Sequence, residues 1–242
     1  MAYRHALTRE SYADLSGGVL HSAPGFPAFP VRLASEMFQR ALALAPSSTA
    51  QVWDPCCGSG HLLTTLVLLH RRDITGVLGT DLDPAALRLA RKNLDLLSEH
   101  GMDVRSDELR ARAERLGKPA YLDAAAAAQR LARGLARRGG ALPYGVARAD
   151  VFNPDQLRRA LDGRRPNLVI TDVPYGEQTS WAGPDGAAGI DGMLRALEEV
   201  LDDDVVIAVA TRGRKAGLAG VRRPIASFKI GTRVVGFWRV AR

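Results

Sequence analysis

Short apolar runs, each closed by a turn residue, alternate along this chain with stretches of helical period, and a chain so patterned folds around a mostly parallel sheet. Strands are predicted at 50–54, 74–80, 144–149, 166–172, 204–211, 224–230 and 233–241. Only Gly231 and Thr232 separate the last two, so they should pair as an antiparallel hairpin. The other strands need crossovers, and helices fill the gaps: from about Gly60 to His70, from Asp83 onward, from Asn153-Pro154 onward, and over about 190–201. Asp83 and Asn153 each precede a proline, the arrangement of an N-cap followed by a first-turn residue whose missing N–H costs nothing. Leu87, Ala90, Leu94 and Leu97 then share one helix face.

Two segments stand outside the alternation. Residues 1–49 form an N-terminal extension, irregular through SAPGFPAFP and helical from Val31 to Ala45. Residues 101–143 are too long for a plain connection and read as extra helices at about 106–116 and 119–138, inserted into a domain spanning 50–242. Arg130, Arg133 and Arg137 stripe one face of the second inserted helix. From Arg212 to the end there are nine basic residues and no acid, Arg214 and Lys215 among them, and the whole chain carries a formal +7. Such asymmetry points to a polyanionic partner and leaves RNA and DNA equally open. The two cysteines, Cys56 and Cys57, are adjacent, which excludes a disulfide framework and a CxxC zinc site; no metal is expected. With no signal-peptide core and no apolar run of spanning length, a cytoplasmic protein working as a monomer is expected.

The stretch Val52-Trp53-Asp54-Pro55-Cys56-Cys57-Gly58-Ser59-Gly60 leaves the first strand and opens a helix. A dinucleotide fingerprint needs a third glycine where Leu63 stands, and no Gly-Lys-Ser/Thr follows for a phosphate loop. What remains is a ligand that wants a bare backbone and a nearby acid. S-adenosylmethionine fits, its ammonium against Asp54 and its body over Gly58 and Gly60; a tight turn with Asp54 as its cap describes the same residues. At the second strand's end Asp81 is placed to accept ribose hydroxyls. At the third, Asp150 stands where an adenine amino group would lie, with Val151 and Phe152 to sandwich the ring.

These three acids in chain order after a glycine turn resemble the class I S-adenosylmethionine-dependent methyltransferases. The resemblance implies a Rossmann-like α/β fold, a seven-stranded mostly parallel sheet with an antiparallel last strand. The fourth strand ends Asp172-Val173-Pro174-Tyr175, similar to the [N/D/S]-P-P-[Y/F] loop of enzymes that methylate nitrogens of planar groups, with Val173 in place of the first proline. By that likeness Asp172 accepts a hydrogen bond from the target nitrogen and Tyr175 stacks on the ring. For a guanine ring nitrogen, Asp172 is also the candidate general base. Trp181, in the following loop, would offer a second stacking platform for an unpaired base.

A narrower likeness runs through YRHALTRESYADLSGGVLHSAPGFPAFPVRLASEMFQRAL, DPCCGSGHLLT, GTDLDPAAL and TDVPYGEQTSWAG. These stretches are similar to the avilamycin-resistance ribosomal RNA methyltransferases. The resemblance implies methylation of guanine N1 in large-subunit ribosomal RNA and resistance to orthosomycin antibiotics. An N2-guanine RNA or N6-adenine DNA methyltransferase, and a non-catalytic RNA-binding protein on an idle fold, are the alternatives.

Overall fold

The computed structural model describes residues 3–6, 12–16, 18–173, 186–212 and 222–241. Seven strands form one sheet: β1 (Ala50–Asp54), β2 (Ile74–Asp81), β3 (Tyr144–Arg148), β4 (Leu168–Asp172), β5 (Val206–Arg212), β6 (Ala226–Ile230) and β7 (Arg233–Arg239). Their spatial order is β3-β2-β1-β4-β5-β7-β6. Strands β1 to β5 pair in parallel, and β7 runs antiparallel between β5 and β6. The seven strands and the antiparallel last one are those the class I methyltransferase resemblance implies. The order reverses between β1 and β4, and at such a switch point the loops leave in opposite directions and open a crevice beyond the strand ends.

Three strands start about two residues later than their apolar runs, each for a local reason. Pro166 cannot donate to the ladder, and the Asn167 side chain instead takes the Gln51 N–H at 2.8 Å and donates to Thr49 O at 2.9 Å. Asp204 adopts a left-handed φ of 66° just before β5. Pro224 delays β6 in the same way as Pro166 delays β4.

The helices are α1 (Ala13–Ser16), α2 (Val31–Leu44), α3 (His61–His70), α4 (Pro84–Asp95), α5 (Gly101–Leu116), α6 (Ala120–Arg137), α7 (Pro154–Leu161) and α8 (Gly189–Glu198). Asp83 caps α4 by accepting the Ala85 N–H at 2.7 Å, and Asn153 caps α7 through the Gln156 N–H at 3.1 Å. Helices α2, α3, α4 and α6 cover one face of the sheet, with Phe38, Leu63, Leu66, Leu94 and Leu131 in the shared core. Helices α7 and α8 cover the other against Trp53, Val169 and Ile207. Leu15, Val19, Leu20 and Phe29 of the N-terminal extension are buried in the first of these cores. The extension is tied further by Glu36 on α2, whose carboxylate accepts the backbone N–H groups of Arg4, His5 and Ala6 at 2.8–2.9 Å. Among the described residues no helix is long and apolar enough to cross a membrane.

Candidate active site

The carboxyl ends of β1, β2 and β4 and the loop after β3 face one cavity of about 440 Å³, and Asp54, Asp81, Asp150 and Asp172 all line it. Asp54, Asp81 and Asp172 each end their strand and Asp150 follows β3 by two residues, because a parallel strand feeding a crossover must turn there and an acidic side chain can accept the turn's orphan N–H groups. Asp54 Oδ1 accepts from Cys56 N at 3.1 Å. Asp81 accepts from Gly58 N at 2.9 Å on Oδ2 and from Asp83 N at 3.0 Å on Oδ1, and a carboxylate so placed has further acceptor capacity for a ligand hydroxyl. Asp150 Oδ1 accepts from Phe152 N at 3.0 Å.

Asp54 is 2% exposed. Burial pushes its carboxyl up to about 8 against the pull of the Thr171 hydroxyl and the Cys56 N–H, and the charges of Asp81 and Asp172 add to the push. Burial also raises Asp81. An opposite charge brought beside such a carboxyl would favour its ionised form. Beside it, the Cys56 and Cys57 thiols are pushed up by burial and stay protonated.

The two glycines of the turn do different work. Gly58 lines the cavity with a φ of 51°, and beyond its Cα there is open space, so its bare backbone faces whatever the cavity holds. Gly60 does not line the cavity. Its φ is 70°, and a Cβ there would sit 3.0 Å from Ala90 Cα, so it lets α3 start against α4.

Asp172 closes the other side. Nη1 of Arg233, the first residue of β7, donates to both of its oxygens at 2.9 and 3.0 Å. The guanidinium also lies over the Phe29 ring, 4.9 Å from its centroid.

The model of the family described as rRNA methyltransferase AviRa matches residues 1–233. This chain belongs to the AviRa family. A curated relative from Streptomyces viridochromogenes, named 23S rRNA (guanine(2535)-N(1))-methyltransferase, is 52% identical over 242 residues, covering 99% of this chain and 96% of its own. Two solved structures of the AviRa rRNA methyltransferase from Streptomyces viridochromogenes, at 1.5 Å and 2.4 Å, match with TM-scores of 0.90 and identities of 50% and 52%, over 99% of this chain and 97% of theirs.

Within this AviRa-family site, several lining residues have no local signature in the sequence. Phe26, Pro27 and Phe29 of the N-terminal extension wall the cavity; paired aromatics and prolines in an otherwise irregular stretch are the one hint of it. His61, at the start of α3, also lines it, and burial lowers its imidazole to about 4, keeping it neutral. Tyr175, Trp181, Arg214 and Lys215 lie outside the described residues. Arg212 ends β5 exposed, in register with Arg233.

The helical stripe stands elsewhere. Arg130 is paired with Asp14 at 2.6 Å, and Arg133 and Arg137 join Arg130 and Arg138 in lining a second cavity of about 380 Å³. Leu68 and Leu69, near the end of α3, line that second cavity, whereas His61 and Leu62 at its start line the first. At 1.5 Å per residue the two are roughly 10 Å apart along the helix. The insertion's basic face is therefore set back from the cavity of the four acids, and the cation bonded to one of those acids, Arg233 on Asp172, comes from β7.

Proposed function

We propose that this chain methylates N1 of a guanine in large-subunit (23S) ribosomal RNA, with S-adenosylmethionine as donor, in the cytoplasm, and that the modification confers resistance to orthosomycin antibiotics such as avilamycin. The name of the Streptomyces viridochromogenes relative supports the base and the RNA. The observation that carries the reading is the convergence of Asp54, Asp81, Asp150 and Asp172 on one cavity. The residues present fit the donor. Asp54, covered and pushed upward, suits its ammonium; the further acceptor capacity of Asp81 suits ribose hydroxyls; Asp150 with Val151 and Phe152 suits adenine. Bound there, S-adenosylmethionine would supply a methyl group already activated on its sulfonium.

The protein's own part is to hold the base in line and remove its N1 proton. Asp172 is the base in this reading, and Tyr175 stacks on the purine. Arg133, Arg137, Arg212, Arg214, Lys215 and Trp181 supply the RNA surface, with Arg130 reaching it only by releasing Asp14. Digestion of ribosomal RNA from expressing cells, with mass spectrometry of the nucleosides, tests the proposal. 1-Methylguanosine is expected. N2-methylguanosine instead, or N6-methyladenine in DNA, overturns the assignment of the base, and calorimetry that finds no binding of S-adenosylmethionine reduces the chain to an RNA-binding scaffold.

A further inference from the structure

Guanine N1–H is a far weaker acid than a carboxylic acid, so a lone aspartate receives its proton only against a steep gradient. The charge left behind on the base is what makes the step costly, and in a water-poor site only a preorganised cation offsets it. We propose that Arg233 is that cation: it holds Asp172 in place as a carboxylate and, once Asp172 has taken the proton, stabilises the anion spread over N1 and O6 of the guanine. The proposal rests on the guanine N1 reading given above.

The geometry carries the assignment. Arg233 reaches Asp172 across 61 residues of sequence, with one nitrogen bonded to both carboxylate oxygens. Both side chains are largely covered, 14% and 22% exposed, so solvent screens the pair less than a surface salt bridge. The guanidinium is fixed from two further sides. Phe29 lies under it, and strand register places it as the first residue of β7, opposite Arg212 on β5 and Ile230 on β6. The acids around the pair add negative charge that a cation offsets, since the Asp172 charge reaches Asp54 at the tip of β1, and Asp81 and Asp150 share the same cavity.

The charge balance closes. Before transfer, Asp172 is negative, Arg233 positive and the base neutral. The N1–H bond breaks, an O–H bond forms on Asp172, and the electron pair stays on the base. Asp172 is then neutral, the base negative and Arg233 still positive. One cation thus serves first the carboxylate and then the purine anion, and the site's net charge never changes. Arg233 acts on Asp172 as a positioning residue and on O6 as a catalytic one.

The test compares wild type, Arg233→Gln and Arg233→Lys on an in vitro transcript of 23S rRNA, reading single-turnover methylation from neutrality into the alkaline range, where guanine N1 begins to ionise unaided. Calorimetry for S-adenosylmethionine, filter binding for the transcript and a thermal melt accompany each variant. For Arg233→Gln the rate is expected to fall about 100-fold near neutrality, with both affinities within about threefold of wild type, and the deficit should shrink with rising pH. Arg233→Lys should recover about a tenth of the wild-type rate, because a point charge replaces the planar fork. A deficit equal at every pH, one carried by RNA or cofactor affinity, a rate within threefold of wild type, or a lost fold in both variants overturns the assignment. If wild type itself makes no 1-methylguanosine, the guanine N1 reading fails first; if it does and Arg233→Gln makes as much, only Arg233 is struck out.

Discussion

Glu36 and Asp54 are both covered carboxylates, 0% and 2% exposed, and their surroundings differ completely. Glu36 receives three backbone N–H groups from Arg4, His5 and Ala6 and an ion pair from Arg40 at 2.6 Å, which together hold it down at about 2 in spite of its burial. Among the described residues Asp54 has only the Cys56 N–H and the pull of the Thr171 hydroxyl in its favour, with protonated thiols as neighbours and other carboxylates across the cavity, and it stands at about 8. One charge is completed by the protein. The other is left for something to be brought to it. A buried acid that the fold satisfies is holding the fold together, whereas a buried acid facing a cavity of 440 Å³ with less compensation has the surroundings that the ammonium of the proposed donor would complete.

The largest expected effect belongs to the acid on the reacting side of that cavity. Asp172→Asn should lower methylation about 1000-fold with cofactor affinity unchanged within about twofold, read by single-turnover kinetics and calorimetry. A simultaneous loss of cofactor binding would mean that the four acids act as one binding cluster. Next comes Glu36→Gln, which should cost about 3 kcal/mol in chemical denaturation, since the covered amide accepts fewer N–H bonds and leaves Arg40 without its partner. Its folded fraction should bind cofactor with wild-type affinity. Asp54→Asn is the mirror image: cofactor affinity falls about 30-fold while the stability of the free protein holds or improves. Should Asp54→Asn unfold the protein, or Glu36→Gln weaken cofactor binding selectively, the division between the two acids is lost.

The placing of Asp54, Asp81, Asp150 and Asp172 on one cavity was legible in the sequence because strand ends are. Period and turn residues locate where each apolar run stops, and a parallel sheet brings all such ends to one edge. The misplaced strand starts at 166, 204 and 224 have the same local origin, a proline or a left-handed residue inside an apolar run. What escaped depends on contacts between distant segments. Arg233 is one of nine basic residues in its stretch, and only its partner 61 residues upstream sets it apart. Arg130 belongs to a regular stripe, but Asp14, 116 residues away, takes its charge. Phe29 lines the cavity and lies under the Arg233 guanidinium, a contact between the two ends of the chain that no period or motif encodes.

The smallest effect separates the two carboxyls within a single titration. Glu36 has its proton affinity lowered by folding, from 4.5 to about 2, so its stability is fully present above the unfolded value and is lost as pH falls toward 2. Asp54 has its affinity raised, from 3.8 to about 8, so the native state binds the proton that the unfolded chain gives up; stability is lost as pH rises between those values, and Asp81 leans the same way. The free protein should therefore melt highest on the acid side of neutrality and a few degrees lower, about 3–5 °C, near pH 8. Saturating S-adenosylmethionine should remove the alkaline decline by holding Asp54 ionised against an ammonium, and leave the acid limb where it was. Scanning calorimetry on wild type, Glu36→Gln and Asp54→Asn reads this directly: the first variant should lack much of the acid limb and the second much of the alkaline decline. An alkaline decline that survives both Asp54→Asn and the cofactor would place the responsible group outside the cavity and leave Asp54 as an ordinary strand-end cap.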